Sequence, residues 1–220
     1  KYYYGVSSGS MAMSYLLSKQ RSNFIKVTRA LVEDPNFISY RNTFSQQGLM
    51  NLDFLQGYVH ESYPFDEEAA DRNSVGKKVC IVATDHLSGK PHYLTPSKGK
   101  WLNYMMASAT LPFITKGRTK VDGKWMFDGG YSDAIPVQKA IQDGAKNILV
   151  IRTRPFGEKI DKSYVSLMAE YWNYDNDNIS DLFSQGYKTY NDCVDFLNGP
   201  EPKGIHWTQI APPNALRSDG

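Results

Sequence analysis

Short apolar runs alternate along this chain with longer segments whose apolar residues recur every three to four positions. The short runs are rich in β-branched and aromatic residues, which is typical of strands buried in a parallel sheet. Such strands are predicted at residues 2–5, 77–84 and 147–151. The spacing of the longer segments predicts helices at residues 11–17, 23–32, 101–109, 137–141 and 179–197. This alternation predicts an α/β fold with a mainly parallel sheet and helices on both faces.

Pairs of turn residues predict two β-hairpins within this order. Ser88-Gly89 follows the second apolar run, and Asp122-Gly123 divides the run at residues 120–127. An Asp-Gly pair between apolar runs is a strong hairpin signal, because both residues tolerate the backbone of a two-residue turn. The second hairpin therefore delivers Asp128 at the end of its second strand.

Two further segments are less regular. Residues 37–65 carry short aromatic pieces without a period, which favours loops and short helices that cover the core, with a lid-like interfacial segment as the alternative. Residues 205–210 alternate, so that Ile205 and Trp207 face one way and His206 the other. This alternation predicts a short final strand.

Composition narrows the class of protein. The 220 residues are 41% hydrophobic and 13% aromatic, which suits one α/β domain spanning residues 1–220. The net charge of +2 comes from mixed acidic and basic residues, so nucleic acid is not an expected partner. Cys80 and Cys193 lie in apolar segments and are expected to be free thiols of a cytoplasmic protein. No apolar run approaches the ~18 residues that span a bilayer, so any membrane contact is expected to be peripheral.

The candidate chemistry begins at Gly5-x-Ser7-x-Gly9, which lies between a predicted strand and a predicted helix. This spacing is the nucleophile elbow, a turn so sharp that the central hydroxyl is pushed clear of the backbone. A side chain at position 5 or position 9 is expected to collide as strand and helix approach, so both positions favour glycine. The Ser8 N–H, at the helix N-terminus, is the natural oxyanion donor.

A nucleophilic serine needs a base, and two residues qualify by position. Asp128 follows an apolar strand and precedes Gly129 and Gly130, which would let substrate and elbow come close; alternatively, the three residues form only a turn. His206 lies late enough to complete a Ser7, Asp128, His206 triad, or is simply an exposed polar residue. The residues alone leave these alternatives open.

Several short motifs occur together in a recognisable order. They are Gly5-Val6-Ser7-Ser8-Gly9, Thr84-Asp85, Ala107-Ser108-Ala109-Thr110-Leu111-Pro112, and Asp128-Gly129-Gly130 with Asp133-Ala134-Ile135-Pro136-Val137 after it. Over roughly residues 1–155 the chain resembles the patatin-like phospholipases, bacterial members in particular. The resemblance implies a three-layer sandwich with the serine on its elbow.

The same resemblance implies a chemistry. It implies a Ser–Asp dyad without histidine, which carries over to Ser7 and Asp128. It also implies that this dyad hydrolyses lipid or other acyl esters through an acyl-enzyme. No metal or cofactor is implied. The family's first strand and Gly-rich oxyanion loop have no counterpart here, so the chain is expected to be N-terminally incomplete. Two alternatives stay open: a non-catalytic regulatory or interaction protein of the same fold, and an esterase that uses His206. The sequence does not predict the oligomeric state or the substrate specificity.

Overall fold

The computed structural model describes residues 1–34, 36–37, 50–111, 114–115, 117–161 and 177–214. Its strands are β1 (Tyr2–Val6), β2 (Lys78–Asp85), β3 (Pro91–Leu94), β4 (Thr119–Val121), β5 (Lys124–Asp128), β6 (Asn147–Ile151) and β7 (His206–Ile210). Its helices are α1 (Ser8–Leu17), α2 (Arg21–Glu33), α3 (Leu52–Ser62), α4 (Glu67–Ser74), α5 (Trp101–Ser108), α6 (Val137–Gln142) and α7 (Asp177–Asn198). The predicted strands and helices are all present, which confirms the α/β class.

The larger sheet is mixed, so the prediction of a mainly parallel sheet is wrong. It contains five strands in the order β1-β2-β5-β4, with β3 also paired to β2. Among its described strands, β1 and β2 are the parallel pair, whereas β2–β3, β2–β5 and β4–β5 are antiparallel. The predicted hairpins account for the β2–β3 and β4–β5 pairs, because a short turn returns the chain antiparallel, whereas β2–β5 joins distant segments. At the tighter turn, Asp122 and Gly123 have φ of 46° and 85°, as two-residue hairpins require.

Strands β6 and β7 form a separate parallel pair, with Asn147 opposite His206. Val150 packs with residues of α6 and α7, but Leu149 and Ile151 on the other face are 58% and 73% exposed. The prediction of a buried strand is therefore wrong for one of its two faces. One face is covered by helices, and the other carries its apolar side chains at the surface of the described structure. The three-layer sandwich stays a prediction.

The main core lies between the larger sheet and helices α1, α2, α3 and α5. Helix α5 contributes most to it, with Trp101, Met105 and Met106 nearly inaccessible to solvent. The Trp101 indole N–H donates to the Asp71 carboxylate at 2.7 Å, so burial leaves no unpaired donor there. Burial of a methionine side chain such as Met105 or Met106 contributes roughly 1.5–3 kcal/mol of hydrophobic free energy.

Residues 50–65 contain helix α3, so the prediction of short helices that cover the core is confirmed in this part of the segment. Helix α3 begins where the Asn51 side chain accepts the Phe54 N–H, and α4 begins where Asp66 accepts the Ala69 N–H. Such caps satisfy the unpaired N–H groups of a first turn and stabilise short helices. Residues 38–49, which include the rest of the suggested lid, lie outside the described residues.

Candidate active site

Ser7 joins β1 directly to α1 in a strained backbone conformation. Its φ of 52° and ψ of −130° make it one of the non-glycine residues with positive φ. A conformation of this kind costs on the order of 1–3 kcal/mol, and the surrounding structure must hold it in place. The predicted strand, sharp turn and helix are thereby confirmed.

The two elbow glycines differ in their surroundings. A Cβ on Gly5 would lie 2.5 Å from the Ser10 Cα, so the predicted collision of strand with helix is confirmed there. A Cβ on Gly9 would meet no atom within 4 Å, so the same prediction is wrong at Gly9. The reason is that Gly9 lies on the exposed outer side of the first helical turn, whereas Gly5 faces it.

The Ser7 main chain is held on both sides by hydroxyl groups. Its N–H donates to the Ser108 Oγ at 2.9 Å, and the Ser108 hydroxyl donates in turn to the Val82 carbonyl at 2.6 Å. Its carbonyl accepts from the Ser10 Oγ at 2.6 Å and from the Ser10 N–H at 2.9 Å. The elbow is thus fixed to helix α5, to strand β2 and to its own helix.

Strand pairing brings Ser7 and Asp128 together. Ile81 pairs with β1 and with β3, whereas Ala83 pairs with β3 and with β5. Because a strand has two edges, β1 and β5 must share the edge of β2 that lies opposite β3. Val6 ends β1 opposite Val82, and Asp128 ends β5 opposite Ala83. The two strands therefore meet end to end at consecutive residues of β2.

The Asp128 carboxyl group is buried, with 4% of the residue exposed. It accepts the Gly130 N–H at 2.7 Å, and the Ser7 hydroxyl lies close enough to lower its pKa. Burial outweighs the effects of Gly130 and Ser7 and raises the pKa of Asp128 from 3.8 to about 6. A carboxylate with this pKa is a much better base near neutral pH than an exposed aspartate.

Gly129 and Asp128 shape the turn that follows β5. A Cβ on Gly129 would lie 2.2 Å from the Val82 carbonyl oxygen, so only glycine lets this turn contact β2. Asp128 caps the short 3-10 turn at Gly129–Tyr131, as the turn interpretation predicted. The capping carboxylate is nevertheless the group beside Ser7, so the two interpretations of this motif are compatible.

Buried hydroxyl-bearing residues hold the Asp128 main chain, as they do at Ser7. The Thr84 hydroxyl donates to the Asp128 carbonyl at 2.7 Å, and the Asp128 N–H donates to the Thr110 carbonyl at 2.7 Å. Thr84, Ser108 and Thr110 are fully buried. In the sequence these three residues stand out only as parts of motifs, and their hydrogen bonds were not predicted. Small polar residues within otherwise apolar, buried segments were the available signal.

Ser8 is the first residue of α1 and is exposed. The first N–H groups of a helix have no partner within the helix and lie at the positive end of its dipole. The Ser7 N–H is already bonded to Ser108, so it is occupied in this structure. The Ser8 N–H therefore stays the predicted oxyanion donor.

His206 lies on the separate β6–β7 pair. Its Nδ1 is 2.9 Å from a Glu201 carboxylate oxygen, and its side chain is 71% exposed. Within the described part of the chain, no hydrogen bond joins it to Ser7 or Asp128. The structure therefore gives His206 the surroundings of a surface residue on a half-buried strand.

Clusters of metal ligands and membrane-spanning helices are both absent from the described ranges. No three His, Cys, Asp or Glu side chains in residues 1–34, 36–37, 50–111, 114–115, 117–161 and 177–214 are grouped so that they could hold a metal ion. In the same ranges, no helix is both long and apolar enough to cross a membrane. Cys80 and Cys193 are free thiols.

Comparison with known proteins places the chain in a family. The uncharacterized protein YjjU of Escherichia coli (strain K12) is 28% identical over 219 residues, which cover 98% of this chain. The chain spans 61% of the length of that relative. The family model for patatin-like phospholipase matches residues 1–141, which include the elbow and the Asp128 turn. This chain belongs to the patatin-like phospholipase family.

Proposed function

We propose that this protein is a serine hydrolase that cleaves fatty-acyl esters of phospholipids, lysophospholipids or related lipids. The proposal depends on one observation above all: a strained serine at a helix N-terminus lies beside a buried carboxyl group whose pKa is raised to about 6. Membership of the patatin-like phospholipase family supports a lipid substrate. Ser7 is the nucleophile and Asp128 the base, and no residue is assigned to a metal or cofactor.

The reaction follows from this geometry in two halves. Asp128 accepts the Ser7 proton while the Ser7 Oγ attacks the ester carbonyl carbon, and the Ser8 N–H stabilises the resulting oxyanion. As the intermediate collapses, Asp128 returns the proton to the departing alcohol and leaves an acyl-enzyme. Asp128 then takes a proton from water, which attacks the acyl carbon. The fatty acid departs, and Ser7 recovers its proton.

The assignment is tested by labelling the protein with a fluorophosphonate probe and mapping the modified peptide by mass spectrometry. Wild type should be labelled at Ser7, and Ser7→Ala and Asp128→Asn should each lose labelling and the hydrolysis of acyl esters. Ser14→Ala, which removes a buried hydroxyl elsewhere in α1, is the control and should be labelled normally. Equal labelling of Ser7→Ala and wild type would exclude Ser7 as the nucleophile. A folded wild type without labelling would favour a binding protein of the same fold.

Contact with a lipid surface is part of the same proposal. Trp125 is 43% exposed on β5, three residues before Asp128. The Arg118 guanidinium lies 4.6 Å and the Lys120 ammonium 5.9 Å from its ring centroid. An exposed indole beside two cations suits the interface of an anionic bilayer. The free thiols Cys80 and Cys193 suit a reducing, cytoplasmic location.

Co-sedimentation with vesicles tests this surface. Wild type should sediment with vesicles that contain phosphatidylglycerol and much less with pure phosphatidylcholine vesicles. The double variant Arg118→Gln, Lys120→Gln should lose this preference but keep its hydrolysis of a short water-soluble ester. Equal sedimentation of wild type and the variant would exclude this face as the contact.

A further inference from the structure

We propose that Ser108 is a positioning residue for the reaction: its buried hydroxyl ties the strained elbow to strand β2 and so aims the Ser7 hydroxyl at Asp128. The inference rests on the proposed function, because it concerns the same site. Ser108 contacts neither reacting group through its own side chain and acts only through the Ser7 main chain.

The Ser108 hydroxyl uses both of its hydrogen-bonding capacities. It accepts the Ser7 N–H at 2.9 Å and donates to the Val82 carbonyl at 2.6 Å. Ser108 is the last residue of α5 and has no exposed surface, so water cannot replace either bond. One hydroxyl thus connects a helix, a central strand and the elbow.

Val82 is the position at which the two halves of the site meet. Strand β1 ends opposite Val82, and β5 ends with Asp128 opposite the next residue, Ala83. The turn after Asp128 also contacts the Val82 carbonyl, since a Cβ on Gly129 would lie 2.2 Å from that oxygen. Ser108 therefore fixes Ser7 to the same peptide group that limits the movement of the Asp128 turn.

The elbow needs such a restraint because its backbone is strained. At φ of 52° Ser7 lies outside the favoured regions, and without a fixed N–H it would relax toward them. A backbone rotation of this kind moves the Ser7 Oγ relative to Asp128. A misplacement of about 1 Å in an active site costs on the order of 100-fold in rate.

The test compares Ser108→Ala with Ser14→Ala in the full chain. Both remove one fully buried serine hydroxyl, but the Ser14 hydroxyl donates to Ser10 within α1. Ser108→Ala should lower kcat by about 10- to 100-fold with KM changed less than about twofold, since positioning affects the transition state more than binding. Ser14→Ala should keep the wild-type kcat.

The pH profile separates positioning from a merely structural effect. The nearby Ser7 hydroxyl lowers the pKa of Asp128, so displacement of that hydroxyl in Ser108→Ala should move the acidic limb of kcat/KM to higher pH. Ser108→Cys keeps the size of the side chain but forms weaker hydrogen bonds. It should give a kcat between those of Ser108→Ala and wild type.

Each outcome decides a different point. A folded Ser108→Ala protein with wild-type kcat and pH profile would overturn the positioning role, and if that variant does not fold, an unchanged kcat in Ser108→Cys would do the same. Retention of activity by Ser7→Ala would instead overturn the proposed function. Loss of activity in Ser7→Ala together with the graded loss at Ser108 would support both proposals.

Discussion

Replacement of Asp128 by asparagine should abolish activity and at the same time stabilise the fold at neutral pH. Asparagine keeps an oxygen that can accept the Gly130 N–H. The hydrogen bonds with Thr84 and Thr110 use the main-chain carbonyl and N–H of residue 128, so the substitution does not remove them. The substitution therefore removes the titrating proton and leaves the packing nearly unchanged. Stability and activity should move in opposite directions because the carboxylate is useful to the reaction and costly to bury.

The magnitude follows from the pKa of Asp128, which burial raises from 3.8 to about 6. A difference of roughly two pH units corresponds to about 3 kcal/mol. A raised pKa means that the folded state binds the proton more tightly than the unfolded chain does. The contribution of Asp128 to stability is thus fully present below pH ~4, and about 3 kcal/mol of it is lost as the pH rises through ~6. Asp128→Asn does not titrate and should lose none of it.

Denaturant unfolding at a series of pH values measures this difference. At pH 4 the free energies of unfolding of wild type and Asp128→Asn should agree closely. At pH 8 the variant should be more stable by about 3 kcal/mol, or by roughly 6–12 °C in Tm for a chain of this length. Ester hydrolysis by the same samples should be lost in the variant.

Asp143→Asn provides a control of opposite sign. Burial acts to raise the pKa of Asp143, but hydrogen bonds from Lys139, Lys78 and Tyr4 outweigh burial and hold that pKa well below its ordinary value. A lowered pKa stabilises the fold above the unfolded pKa, so Asp143→Asn should destabilise the protein at pH 8 and less so at low pH. If Asp128→Asn were destabilising at pH 8, or equally stabilising at pH 4 and pH 8, a buried ionised Asp128 would be refuted.

Three further outcomes follow from the same contacts. If Asp128 is the base, kcat/KM should rise with pH through about 6 and then level off, and a profile flat from pH 4 to 8 would contradict that role. Gly5→Ala should destabilise the fold by about 3 kcal/mol or more, because its Cβ would meet the Ser10 backbone, whereas Gly9→Ala should change the unfolding free energy by less than about 1 kcal/mol. His206→Ala should keep ester hydrolysis within about twofold of wild type, and a large loss would favour a triad.

The residues around the elbow were predictable because local geometry determines them. A strand that turns into a helix within one residue needs glycine where the two approach, and Gly5 shows that contact. The same rule failed at Gly9, because spacing in the sequence does not show which side of the first helical turn faces the strand. Asp128 was predictable as a candidate from the hairpin that precedes it, but its contact with Ser7 depends on strand order.

Other features depend on long-range pairing that the pattern of the sequence does not encode. The apolar run of β6 resembles a strand buried on both faces, yet what covers each face is decided by distant segments. The mixed sheet arises because β5 pairs with β2 as well as with its hairpin partner. Ser108 is an ordinary small residue in sequence, and its contact with Ser7 spans 101 positions.

The end-to-end meeting of β1 and β5 on β2 has a consequence for folding. The spacing between Ser7 and Asp128 is set by two consecutive residues of one strand, so the lengths of the connecting loops do not affect it. A slip of one residue in either pairing would move a strand end by about 3.3 Å and turn its side chains to the opposite face. Because these pairings join distant segments, they belong to the slower events of folding. Recovery of hydrolysis during refolding would therefore report the moment at which both strands reach their native register.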